Sequence, residues 1–419
     1  MKVFKFGGAS VRDANSVKNV AKIMRKHEGE AVFVVISAMG KTTNGLERVV
    51  NAYFRKEGNA FEELEKVKKF HHDIVNKLFP AKHAIFDEVN NTLVEIEWVI
   101  EDEPTGTFDF EYDQIVSVGE ILSTKIISTY LNENGIKNQW IDCRDFIKTN
   151  NTYREAKVDW ELSEQCIKQL KLSEKVLITQ GFSGCTSENY TTTLGREGSD
   201  FTASIVAYLL DAESVTIWKD VPGVLNADPK WFDECEKLHH ISYLEAAELA
   251  YYGASVIHPK TIKPLQNKHI PLYVRSFVSL EEEGTVINEE TTSDSLIPSF
   301  IFRMNQVLIS ISPRDYSFIM EENLSDIFAC FHKHRVKINL MQNSAISFSV
   351  CVDNEPDKIP GLINDLHQND LVRYNENMEL VTIRHYDQAT IDRVTVDKEI
   401  LLEQKTRHTA RMVMKDKSV

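Results

Sequence analysis

A chain of 419 residues with 42% hydrophobic side chains can bury large cores, and its length predicts two or three domains. Its 63 acidic against 48 basic residues, a formal charge of −15, argue against nucleic acid as a partner, because that needs basic patches. No apolar run reaches the roughly 18 residues of a membrane span, a strand starting at Val3 leaves no room for a signal peptide, and the six cysteines lack C-x-x-C or Cys–His metal spacing, so free thiols, a cytoplasmic location and no protein-bound metal are expected.

In chain order, Val3–Phe6 and Ala31–Ile36 are short apolar runs that predict buried parallel strands, with Val17, Val20, Ala21 and Met24 at helical spacing between them. Residues Phe61–Glu101 are helix-periodic and charged, and Pro80 divides them into two helices. Gln114–Leu131 predicts one further helix, Val176–Thr179 a strand, Phe201–Leu210 a helix, Ser214–Trp218 a strand, Tyr243–Tyr252 a helix and Leu272–Val274 a strand. Strands alternating with helices predict a mostly parallel sheet between helix layers. The polar, acidic stretch 281–297 reads as a linker. Beyond it the order is βαββαβ: Val307–Ile311, Leu324–His334, Lys337–Leu340, Ile346–Val352, Lys358–Leu366 and Leu380–His385.

Three segments carry chemistry. Lys5-Phe6-Gly7-Gly8 ends the first strand, where glycines let backbone N–H groups approach a phosphate and Lys supplies a compact cation. Thr191–Asp200, T-T-T-L-G-R-E-G-S-D, sets hydroxyls, two glycines, an Arg fork and an Asp before an apolar helix. Trp218–Pro229, W-K-D-V-P-G-V-L-N-A-D-P, breaks from a strand end into a Pro-Gly turn, the kind of loop that binds ligands in open α/β sheets. Glu120 lies in an apolar helical run, which is costly for a carboxylate without a partner. Such a set suits phosphoryl transfer, which needs positioning and neutralisation of charge more than covalent work. A carboxylate acceptor, with an ordinary pKa of about 3.9, would need no general base.

The order and spacing of these segments resemble the aspartate kinases of the amino-acid kinase family. The resemblance implies an α/β catalytic domain at 1–280, the linker at 281–297, an ACT-like (ferredoxin-like) domain at 298–379 and a partial second ACT-like unit at 380–419, to which Phe300–Arg303 would lend a strand. It implies transfer of the γ-phosphoryl group of ATP, its Mg2+ carried by the nucleotide, to the β-carboxylate of L-aspartate. The product, 4-phospho-L-aspartate, begins lysine, threonine and methionine biosynthesis. By the same resemblance Lys5 stabilises the transferring phosphoryl group and Asp200 orients Lys5. Thr43, Glu120, Arg196, Glu197, Gly198 and Ser199 contact aspartate, with Arg196 on the α-carboxylate and Glu120 on the ammonium. Gly7, Gly8, Ser37, Lys219, Asp220, Leu225, Lys230, Ser255 and Val256 join Lys5 around the nucleotide, while His258 is structural. Asn323, Leu324, Asn339, Gln342 and Ser344 mark an allosteric site, and pairing through the ACT-like region predicts at least a homodimer.

Departures are Ala9 for a usual Thr, Glu197 for a usual Gly, and Ser255 for a Lys common in relatives. Asn339 and Ala345 stand where lysine-sensitive relatives carry acids, so lysine is expected to inhibit weakly or not at all, while threonine, which needs only hydrogen-bonding partners such as Gln342, stays open as the feedback inhibitor. A glutamate 5-kinase is opposed by the ACT-like tail and the Pro-Gly loop. A degenerate amino-acid-binding regulatory subunit is opposed by intact Lys5, Arg196 and Asp200. From the length, no appended dinucleotide-binding dehydrogenase is expected.

Overall fold

The computed structural model describes residues 1–419 except Asp233, Ser255, Val256, Tyr316, Ser418 and Val419, so the nucleotide contacts expected of Ser255 and Val256 lie outside the described residues. The chain divides into two compact units. One comprises Met1–Val224, Lys237–Ala247 and Val256–Thr291; the other comprises Leu225–Glu236, Glu248–Ser255 and Thr292–Val419. Among the described residues no helix is long and apolar enough to cross a membrane.

The first unit is built on an eight-stranded sheet. Its order is His240–Ser242, Thr285–Asn288, Leu272–Ser276, Ser214–Lys219, Lys2–Phe6, Val32–Ile36, Val176–Gln180, Asn138–Trp140. The last six run parallel, while Thr285–Asn288 pairs antiparallel to Leu272–Val274. Every side chain of Val32–Ile36 is buried, as expected of a central strand covered on both faces. The stretch 281–297 is therefore no simple linker. Thr285 and Ile287 alternate inward with Val286 and Asn288 outward, a period-two pattern that the surrounding acids masked.

Helix ends follow local chemistry. Asp13 caps Ala14–Lys26 by accepting from the Ser16 N–H at 2.8 Å, and Asn59 caps Ala60–Leu78. The single helix expected from Gln114 to Leu131 is two, Phe108–Val116 and Val118–Glu133, interrupted at Ser117. The break gives Asp113 and Glu120 separate carriers. The helix expected from Phe201 begins earlier, at Gly198, so Ser199 and Asp200 occupy its first turn. Glu197 precedes it with φ 54°, in the left-handed region. A glycine would take that conformation freely; a side chain there costs on the order of 1 kcal/mol.

In the second unit, a six-stranded antiparallel sheet runs Ile338–Asn343, Phe348–Asp353, Ser299–Pro313, Asp370–Arg384, Thr409–Asp416, Lys398–Lys405. Two strands are far longer than their apolar runs suggested, and each serves both halves of the sheet. Ser299–Arg303 pairs with Leu380–Arg384, and Leu308–Pro313 with Asp370–Asn375, across register shifts between Arg303 and Leu308. A boundary at 379/380 accordingly falls inside one strand and separates nothing. Helices Glu321–Lys333 and Ile359–Asn369 pack on a core of Val307, Ile309, Ile311, Val350 and Leu362, while Gln388–Val394 contributes to another around Phe300, Val381 and Met412.

Candidate active site

Four parallel strands end at one edge of the first unit's sheet, and hydrogen bonds stitch their loops together. The Ser10 hydroxyl donates to the Trp218 carbonyl at 3.1 Å, the Ser37 N–H to Phe6 at 3.0 Å, the Gly40 N–H to Gly8 at 3.0 Å and the Gly181 N–H to Ile36 at 3.2 Å. Two glycines permit this closeness. A Cβ on Gly8 would meet the Ala38 carbonyl at 2.8 Å, and one on Gly181 would meet Ser199 at 2.5 Å. Segments distant in sequence thus converge on the first turn of the helix Gly198–Leu209.

Asp200 is the charge centre. Its Oδ1 lies 2.6 Å from Lys5 Nζ and its Oδ2 3.7 Å from Lys219 Nζ, with Lys5 and Asp200 both buried. Burial pushes the Asp200 carboxyl up, but Lys5 and Lys219 outweigh it and hold the group below the ordinary carboxylate range. One turn edge away, the Ser199 hydroxyl donates to Glu120 Oε1 at 2.7 Å. Glu120 Oε2 is buried and has no hydrogen bond of good geometry among the described residues. Burial raises the Glu120 pKa to about 7, against the opposing pull of Ser199, Lys5 and the nearby backbone N–H groups of Ala38 and Gly181. Glu197 is also pushed up by burial, with Lys219 opposing, and its Oε2 is likewise buried without a hydrogen-bond partner among the described residues.

Arg196 is exposed, two residues past the buried Leu194, and Thr43 is half-buried in the first turn of Thr42–Arg55. That helix starts after Lys41 with no side-chain cap. Its buried hydroxyl is that of Thr42, which donates to the Met39 carbonyl at 2.7 Å and faces His71 Nε2 at 3.3 Å. Asp220 is exposed after the strand end. Leu225 and Lys230 belong to the Leu225–Glu236 segment of the second unit, where the Lys230 N–H donates to Asp228 at 2.9 Å. His258 accepts from the Lys260 N–H at 3.2 Å as the cap of Pro259–Asn267.

The residues named for an allosteric site lie at the start of the helix Glu321–Lys333 and along, or just after, the strand Ile338–Asn343. Asn339 is buried, and its amide donates to Gln306 Oε1 at 2.9 Å and Asp353 Oδ1 at 3.1 Å. Asn323 caps the start of Glu321–Lys333 by accepting from the Met320 N–H at 3.0 Å. Leu324 is partly buried against the first half's core, while Gln342 and Ser344 are exposed. Sequence reading also passed over Asp113 and His71. A lone acid or imidazole in an amphipathic helix carries no local sign of burial, and only the repeated charge within an apolar stretch, as at Asp113 between Tyr112 and Ile115, hinted at it.

An anion-compensating cluster at the carboxyl edge of a parallel sheet, fed by a Gly-Gly strand end and a helix start, is the architecture of a group that phosphorylates small molecules. The chain belongs to the amino acid kinase family, whose model matches residues 1–276. Within that family it is 33% identical over 358 residues to the lysine-sensitive aspartokinase 3 of Escherichia coli, covering 84% of this chain and 78% of that one. It is 30% identical over 396 residues to the chloroplastic aspartokinase 1 of Arabidopsis thaliana, covering 91% and 68%. The crystal structure of E. coli aspartokinase III in complex with aspartate and ADP superposes with a TM-score of 0.83 at 28% identity, covering 99% of this chain and 96% of that chain.

Proposed function

We infer that the protein is an aspartate kinase, transferring the γ-phosphoryl group of ATP to the β-carboxylate of L-aspartate. The observation that carries this reading is the buried Lys5–Asp200 pair, with half-buried Lys219 alongside, next to a buried Glu120 with one oxygen open. A carboxylate nucleophile and a triphosphate repel each other, so the site must supply fixed positive charge where the two meet. Asp200 holds Lys5 in place and lowers the freedom of Lys219, while the glycine-lined strand ends let N–H groups face phosphate. Glu120 takes the substrate ammonium through Oε2, and Ser199 fixes its other oxygen. Arg196 takes the α-carboxylate with its planar fork, which leaves the β-carboxylate toward Lys5. No side chain need remove a proton, because the acceptor is already ionised. Mg2+ arrives with ATP as part of the substrate, since the buried Asp200 is already engaged by two lysines.

The activity serves lysine, threonine and methionine biosynthesis in the cytoplasm, and the chain works as a homodimer or larger assembly through its ACT-like sheet. Support for pairing comes from the edge strand Ile338–Asn343, whose Met341 is exposed beside an open row of backbone groups. Incubation with ATP, Mg2+, L-aspartate and hydroxylamine should yield aspartyl hydroxamate. Its absence, with nucleotide hydrolysis also absent, would support the alternative of a binding subunit without chemistry.

A further inference from the structure

Asp113 is completely buried, yet it touches neither Lys5 nor Asp200. Its carboxylate accepts from the Thr193 N–H at 2.8 Å, the Thr193 hydroxyl at 2.7 Å and the Arg154 N–H at 3.0 Å. The neighbouring Gln114 donates to the Thr191 carbonyl at 2.8 Å and accepts from the Thr191 N–H at 3.3 Å. From the opposite side, the Ala156 N–H donates to the Thr193 carbonyl at 3.0 Å, and a Cβ on Gly195 would meet the Arg154 carbonyl at 3.1 Å. The segment that leads into Arg196 is thus gripped between the helix Phe108–Val116 and the loop around Arg154, and one carboxylate ties all three together.

A buried carboxylate costs several kcal/mol unless hydrogen bonds saturate it, so packing alone would favour an apolar residue here. Burial raises the Asp113 pKa to about 6 in spite of those three bonds. What the carboxylate supplies that Leu would not is direction: it sets two backbone N–H vectors and one hydroxyl.

We propose that Asp113 is a positioning residue for aspartate binding: it fixes the Thr191–Gly195 segment, and through it the place of the Arg196 guanidinium. This rests on the reading of Arg196 as the α-carboxylate fork. Bidentate recognition depends on angle as well as distance, so a loosened segment weakens aspartate and spares ATP.

The experiment measures steady-state constants for both substrates in Asp113→Asn, Thr193→Val and Arg196→Ala, made in the full chain. Asn in place of Asp113 keeps one acceptor and turns an NH2 toward donors, so aspartate KM should rise about tenfold or more, equivalent to about 1.4 kcal/mol. Thr193→Val removes only the hydroxyl from a β-branched strand residue, should fold even where Asp113→Asn does not, and should raise aspartate KM about three- to tenfold. ATP KM should stay within about twofold in both. Aspartate KM unchanged in Thr193→Val while Arg196→Ala raises it would overturn the role of Asp113 and keep that of Arg196. Parallel rises in both KM values would overturn it too, by showing general structural loss. If Arg196→Ala itself leaves aspartate KM unchanged, the reading of the fork fails first.

Discussion

The two units treat buried polar groups in opposite ways. At the carboxyl edge of the first, Glu120 and Glu197 each keep a buried oxygen without a hydrogen-bond partner among the described residues. At the register shifts of the second, the buried Gln306 and Asn339 close on each other and on the half-exposed Asp353. Gln306 donates to Asp353 at 2.8 Å, Asn339 donates to both, Arg411 donates to the Asn339 carbonyl at 2.7 Å, and Arg303 stands 3.7 Å from Asp353. An open valence in a buried place is destabilising until a ligand fills it, whereas a closed network holds strands in register. The first pattern suits the proposed binding site and the second suits architecture, even though both sit on sheets and both mix acids with cations.

The strongest way to break this comparison is at Lys5. Lys5→Ala should lower kcat about 10²- to 10³-fold, as for loss of an electrostatic stabiliser, with a much smaller change in aspartate KM. A variant keeping more than about half of the wild-type kcat would remove Lys5 from the phosphoryl path.

The open oxygen of Glu120 makes a pH prediction. With its pKa near 7, the free protein carries Glu120 partly protonated below neutrality. In the proposed role of Glu120 only the carboxylate would bind the substrate ammonium, so aspartate KM should rise about tenfold from pH 8 to pH 6, and Glu120→Gln should flatten that slope. Asp113, near 6, titrates in the same range, and the Gln variant separates the two. Because the folded pKa is raised, the ligand-free protein loses stability as pH climbs from the ordinary carboxyl value of 4.5 toward 7. Thermal stabilisation by aspartate should grow over the same window.

In the second unit the effect should be structural. Asn339→Ala leaves Gln306 and Asp353 short of a buried donor and should cost about 1–3 kcal/mol in urea unfolding. An unchanged midpoint would mean the network is looser than its distances imply. The smallest expected effect is that of lysine. Asp353 is already engaged by Gln306 and Asn339, and Asn339 and Ala345 offer no charge, so millimolar lysine should leave activity within about twofold. Strong inhibition would show that an acid outside this network receives the ε-ammonium.

Much of the first unit was legible in the residues themselves. Short apolar runs between helix-periodic stretches read as buried parallel strands, and Lys5, Asp200 and Arg196 stand out because charge beside glycine at a strand or helix end has few structural uses. The strand inside 281–297 was hidden, since four residues with two facing outward carry too little apolar signal against neighbouring acids. The shared long strands were hidden for a related reason: Asp370–Glu379 is mostly exposed, and its pairing is decided by partners far along the chain. Burial of a single polar side chain is likewise a property of what packs over it. Asp113, His71 and Asn339 therefore took their meaning from the tertiary structure, and the bond between Ser199 and Glu120, 79 residues apart, exists only because Gly181 lets a helix start lie against a strand end.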